Sequence, residues 1–186
     1  YYTMNYDDLE DKFKSGKVKL MILCNPHNPV GRVWKKAELI RVLDLANQYQ
    51  VKIISDEIHA DIVYHDNAYC SLMSLNADDH TALIGSTAKT FGMHSISNGF
   101  IYIPDESNFG KAKSIVSGMF LDHGSAFTTF ATIAAYKHGE PWVEELKLYL
   151  ESNLKWMNDY IKMELPQIKT SPIEGTYQMW LDFSGL

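Results

Sequence analysis

Three apolar runs in this chain each end on side chains that can do chemistry. "KLMILCNPHNPVGR" leads into Asn25 and Asn28, "VKIISDEIH" into Asp56 with His59 close behind, and "TALIGSTAK" into Ser86 and Lys89. An amide, a carboxylate, an imidazole, a hydroxyl and an amine therefore follow strand-like segments in order. Lys89 is the odd member. Lysine is rarely buried unless it is paired or chemically used, and a deprotonated amine can attack a carbonyl. Each group also has an ordinary use. Asn28 suits a turn, Asp56 could cap a helix, and His59 could be a satisfied core histidine. Ser86 could be a loop hydroxyl, and Lys89 could snorkel to solvent.

The elements that must carry these groups can be read from the pattern. Val18 to Cys24 is an apolar strand, broken by a loop with two prolines and a glycine. Leu39, Ile40, Leu43, Ala46 and Tyr49 recur at helical spacing. Val51 to Ile54 and Thr81 to Ile84 are further strands. Strand, helix and strand with short links is a βαβ unit, hence a parallel sheet with right-handed crossovers. In such sheets ligands bind beyond the carboxyl ends of the strands, where all of these polar groups fall. Ser97 to Asp105 reads as another strand, and "ESNFGKAKSIVSGMF" and "SAFTTFATIAAYKHG" as helices. A long helix opens at Pro141, with Trp142, Leu146, Tyr149, Leu150, Leu154, Met157 and Ile161 on its apolar face and Pro166 ending it. Gly175 to Phe183 alternates like a strand.

Composition narrows the function. The chain has 186 residues, 46% hydrophobic and 22% charged, with a net charge of −6. That is ordinary for a globular protein and lacks the basic stripe of a nucleic-acid binder. No apolar run has the length of a membrane span. Two cysteines, Cys24 and Cys70, make no framework and point to a reducing compartment, with cytoplasm the default. The seven histidines are scattered, and none sits at metal-ligand spacing from a cysteine or carboxylate. The first residues are not a signal peptide. The abrupt start and the end just past a strand suggest a piece of a longer protein.

The combination resembles the class I/II aminotransferases that use pyridoxal 5′-phosphate (PLP), the fold-type I enzymes. "NPHNPVGR" looks like their Asn-Pro-x-Asn-Pro-x-Gly loop, "SDEIHADI" like their strand ending in aspartate, and "STAKTF" like their Ser-x-x-Lys segment. The resemblance runs from about Tyr6 to the end. "DEIH", "AAYKHGEPWVEELKLYLESN" and "EGTYQMWLDF" are most similar to the cystathionine β-lyase, or C–S lyase, branch.

The resemblance implies an α/β fold. It would be an αβα sandwich with a mainly parallel sheet, the fold-type I large domain, present incompletely. Residues 1–170 would be part of that domain and 171–186 the start of a small C-terminal domain. It implies PLP as cofactor, an amino-acid substrate, a homodimer in the full-length protein, and neither nucleic-acid nor membrane partners. Lys89 would bond to the cofactor aldehyde and then take the α-proton. Asp56 would pair with the pyridine nitrogen, and Asn28 would donate to the phenolic oxygen, with His59 near it. Ile58 would pack on a ring face, and Ser86 would bond the phosphate. The implied reaction is α,β-elimination from a sulfur amino acid. Amino transfer is the alternative, and a non-catalytic regulatory relative the third reading.

The sequence departs from the family at Ala88, where relatives often carry serine or threonine, and at Gly92, where asparagine is common. Ser97 stands where many aminotransferases place an arginine on the phosphate. Arg32 and Arg41 are the only arginines, and neither matches the family's substrate-carboxylate arginine. The resemblance also implies a glycine-rich phosphate loop upstream of Tyr1, so the piece alone is expected to be inactive.

Overall fold

The computed structural model of the chain describes residues 2–75, 80–96 and 98–186. A first helix, α1 (Tyr6–Lys14), starts where the Asn5 side chain accepts from the Asp8 N–H. Strand β1 (Leu20–Cys24), helix α2 (Lys36–Gln48), strand β2 (Lys52–Asp56) and strand β3 (Thr81–Ser86) follow. After β3 the chain makes a short α3 (Thr87–Thr90), then β4 (Gly99–Tyr102) and α4 (Glu106–Gly118). Helices α5 (Ala126–His138) and α6 (Glu140–Glu164) precede a small ribbon of β5 (Lys169–Thr170) and β6 (Leu181–Asp182).

The main sheet has the order β1-β2-β3-β4. Its first three strands are parallel and β4 is antiparallel to β3, so the sheet is mainly parallel as predicted. Alternation along the strands decides which face is buried. Leu23 and Ile53 point to the side covered by Phe13 of α1 and by Leu39, Val42, Leu43 and Ala46 of α2. On the other face Ile22 is 67% exposed. Among the described residues no helix is long and apolar enough to cross a membrane.

Several boundaries differ from the sequence reading. The second strand runs to Asp56 and the third to Ser86, so both polar residues are the last of their strands. In α2, Val42 and Leu45 are buried while Ile40 is exposed. The face predicted for α6 is only partly covered: Ile161 is buried, Leu146, Leu150 and Leu154 are half-buried, and Trp142, Tyr149 and Met157 are exposed, while Val143, outside that face, is also buried. Helical spacing locates an apolar stripe without saying what covers it. The strand predicted over Gly175–Phe183 reduces to Leu181–Asp182. Gly175 makes only an isolated bridge to Val63, because the segment before it threads between two loops and pairs with their backbones.

Candidate active site

Sheet register builds the site. Cys24 lies opposite Asp56, and Asp56 opposite Ile84, so the three parallel strands end nearly level. The loop after β1 is tight: the His27 N–H donates to the Arg32 carbonyl at 2.6 Å and the Gly31 N–H to the His27 carbonyl at 2.8 Å. Gly31 has φ +75°, and a Cβ there would lie 2.9 Å from Ile173 Cγ2, so the turn needs glycine. The two asparagines have different duties. Asn25 is fully buried. Its amide donates to the Cys70 carbonyl at 2.9 Å and its oxygen accepts the Trp34 N–H at 3.1 Å. Asn28, further along, is half-buried.

Asp56 caps no helix. A series of turns follows it, and one of its carboxylate oxygens accepts the Ile58 N–H at 3.3 Å. Ile58 is half-buried beside it. His59 is 1% exposed, yet neither ring nitrogen has a hydrogen-bond partner. The reading of a satisfied core histidine is therefore overturned, since buried polar groups are almost always paired. Its ring meets that of Tyr177 edge to face, with centroids 5.4 Å apart. Burial lowers the imidazole pKa and the Lys89 charge lowers it further, while Asp56 pulls it back up. His59 thus senses both other groups.

This has a testable consequence for stability. An imidazole depressed in the folded state binds fewer protons there than in the unfolded chain, whose histidine titrates at about 6.5. Stability is then whole above that value and falls as the pH drops toward the folded-state value. Burial depresses His27 in the same sense. His65, raised by Glu151, works oppositely, but on the exposed surface. We expect the denaturant midpoint to fall between pH 7 and pH 5, and His59→Asn to flatten that fall. An unchanged pH slope in the variant would remove the argument.

Ser86 is the cap of α3. Its hydroxyl accepts the Ala88 N–H at 3.0 Å and donates to the Asn98 carbonyl at 3.2 Å. Its one proton is thus already used locally. Next to it Thr87, overlooked in the sequence, is fully buried with no partner for its hydroxyl. Lys89 is half-buried one turn on, and Thr90 donates to Asp61 at 2.7 Å. Ser97 lies outside the described residues. Among the described residues no three His, Cys, Asp or Glu side chains gather as metal ligands.

Two supports beneath the site were not visible in the sequence. Glu57, adjacent to Asp56, is buried and accepts from Ser55 at 2.8 Å, Ser71 at 3.1 Å and the Leu72 N–H at 3.0 Å. Tyr69 also donates to it, and burial and this carboxylate push the phenol pKa up. Arg32 is 2% exposed and doubly paired. One nitrogen reaches Glu174 at 3.0 and 3.2 Å, the other Glu38 at 2.6 and 2.8 Å. Glu38 also accepts the Lys35 N–H at 2.8 Å and so caps α2. One guanidinium thereby ties the asparagine loop to α2 and to the C-terminal segment.

Comparison with known proteins agrees with this geometry. The chain is 35% identical over 185 residues to the cystathionine β-lyase PatB of Bacillus subtilis, covering 98% of this chain and 48% of that protein. A protein from Clostridium difficile solved with PLP bound superposes with a TM-score of 0.95 at 38% identity, over 99% of this chain and 48% of that one. The PLP-bound C–S lyase of Staphylococcus hominis gives a TM-score of 0.93 at 31% identity, over 99% and 46%. The chain spans about half the length of the curated relatives it matches. The family described as aminotransferase class I and II matches residues 1–186. A mainly parallel sheet, polar groups at its strand ends and a match along the whole chain together mean that this protein belongs to the class I and II aminotransferase family.

Proposed function

We propose that the full-length protein is a PLP-dependent C–S β-lyase that releases thiol, pyruvate and ammonia from a sulfur amino acid such as cystathionine. One observation carries the reading. A buried histidine with two unpartnered ring nitrogens sits within electrostatic reach of a lysine and a strand-end aspartate, in a chain similar to cystathionine β-lyase PatB.

The residues present fit the cofactor. The orphaned polar atoms of His59 and Thr87 suit a polar, anionic ligand, and the amine of Lys89 suits an aldehyde. PLP, when bound, supplies a sink for the electrons left on the substrate α-carbon. Lys89 would hold the aldehyde, then take the α-proton once freed. Asp56 would keep a proton on the pyridine nitrogen, and Asn28 and His59 would lie by the phenolic oxygen. Ile58 would pack on the ring face. Ser86 would bond the phosphate by exchanging its Asn98 contact for it.

We assign residues 1–170 to the large domain and 171–186 to the start of the small one. Both cysteines are free, which supports a cytoplasmic protein. The exposed rings of Phe120, Phe127 and Phe130 support a covered face in a homodimer.

An assay of the full-length protein tests the reaction. Pyruvate should form from cystathionine with PLP and no keto-acid acceptor. Amino transfer to an acceptor without pyruvate would replace the lyase reading with a transaminase. Failure of the wild type to bind PLP would favour a non-catalytic relative.

A further inference from the structure

Residues 173–177 form a strap whose path is fixed before it reaches the site. The Glu174 and Gly175 N–H groups both donate to the Gly31 carbonyl, at 2.8 and 3.0 Å. The Glu174 carbonyl accepts the Tyr64 N–H at 3.0 Å, and the Thr176 N–H donates to the Ile62 carbonyl at 2.9 Å. The Tyr64 hydroxyl donates to the Thr176 carbonyl at 2.5 Å. The Glu174 carboxylate is held by Arg32 and by the Val33 N–H at 2.9 Å. A Cβ at Gly175 would lie 2.8 Å from the Ile62 carbonyl oxygen and 3.0 Å from Val33 Cγ2. The strap is therefore clamped on both sides, and Tyr177 leaves it from a fixed point.

At the other end stands His59. No hydrogen bond orients its ring, so packing must. Tyr177 meets that ring at 5.4 Å with an interplanar angle of 67°, the edge-to-face arrangement that aromatic quadrupoles favour. Tyr177 itself is 38% exposed, so its ring lies between the imidazole and the outside.

We infer that Tyr177 is a positioning residue for His59: delivered by the strap that Arg32 and Glu174 clamp, its ring sets the imidazole plane and keeps water from it. The inference rests on the reading that His59 belongs to the cofactor site. It adds a residue from the far end of the chain to that site. The charged groups that His59 senses are Lys89 from α3 and Asp56 from the end of β2; Tyr177 faces it from the strap.

The test is NMR titration of the His59 ring in the full-length protein with PLP, the resonance being assigned by its loss in His59→Asn. Tyr177→Ala should move the His59 midpoint upward, toward an ordinary imidazole, because water reaches the ring. Tyr177→Phe keeps the ring and should hold the wild-type midpoint. A purely structural Tyr177 would lower the melting temperature and leave the midpoint alone. Two outcomes overturn the inference: a folded Tyr177→Ala protein with the wild-type midpoint, or Tyr177→Phe shifting as far as Tyr177→Ala. If Tyr177→Ala does not fold, Tyr177→Leu retains apolar bulk without the ring and is read the same way. Absence of PLP binding in the wild type would sink the cofactor reading, whereas the His59 titration still decides the role of Tyr177.

Discussion

Lys89→Ala in the full-length protein is expected to abolish the visible absorbance of bound PLP and to lower turnover by roughly 10³-fold or more. The argument is one of irreplaceable chemistry. Lys89 would serve twice, as the amine that holds the aldehyde and as the base at the α-carbon, and alanine can do neither. Position matters as much as type. The short α3 begins directly after β3, capped by that strand's last residue, and the register of β3 with β2 places Ile84 opposite Asp56. Lys89 is thereby brought within electrostatic reach of His59, which also senses Asp56. The fold should survive, because the side chain is half-buried and lies outside the main core cluster. Absorbance titrated with PLP, with circular dichroism alongside, checks this. A folded Lys89→Ala protein that keeps the visible band would end the assignment.

The largest effect on stability is expected at Arg32. Breaking a buried ion pair by removing one partner typically costs about 3–5 kcal/mol, because the other charge is left uncompensated. Here removal leaves two carboxylates, Glu38 and Glu174, facing each other across the vacated space. Arg32→Ala should therefore lose about that much in urea unfolding. Asp8 and Lys12 pair on the exposed surface of α1, and Lys12→Ala should change little, as surface pairs seldom contribute much. A loss at Arg32 no greater than that at Lys12 would refute the network's importance. Arg32→Lys is not a conservative rescue, since one ammonium cannot face two carboxylates with paired planar contacts.

The strand ends were legible because each apolar run stops abruptly at polar or charged residues, with proline and glycine marking the first loop and Asp56 itself marking the second. Asn28, Asp56 and Lys89 could be placed in order for that reason. His59 was harder. Its residue type and its position after β2 were plain, but its lack of partners depends on what packs over it, and Tyr177 is far away in the chain. Glu57 was missed for a related reason. It sits inside the "DEIH" motif, yet its partners Tyr69, Ser71 and Leu72 come from a separate loop. Thr87 was passed over because a threonine beside a capping serine has no distinguishing pattern; only the orphaned hydroxyl marks it. The alternation of Gly175–Phe183 misled because backbone partners, not side-chain pattern, decide whether a segment joins a ladder.

The Arg32–Glu174 contact joins residues 142 positions apart. It belongs to the assembly history of the protein as well as to its finished form. Closing so long a loop is an entropic debt that local contacts cannot share, and contacts of such span slow folding. On the ribosome the asparagine loop emerges long before its acidic partner. Until Glu174 arrives, the guanidinium pairs with Glu38 and lies over the Trp34 ring. The nascent sheet can form early, but the clamp over its strand ends closes late, so ligand-binding competence should lag behind secondary structure during synthesis.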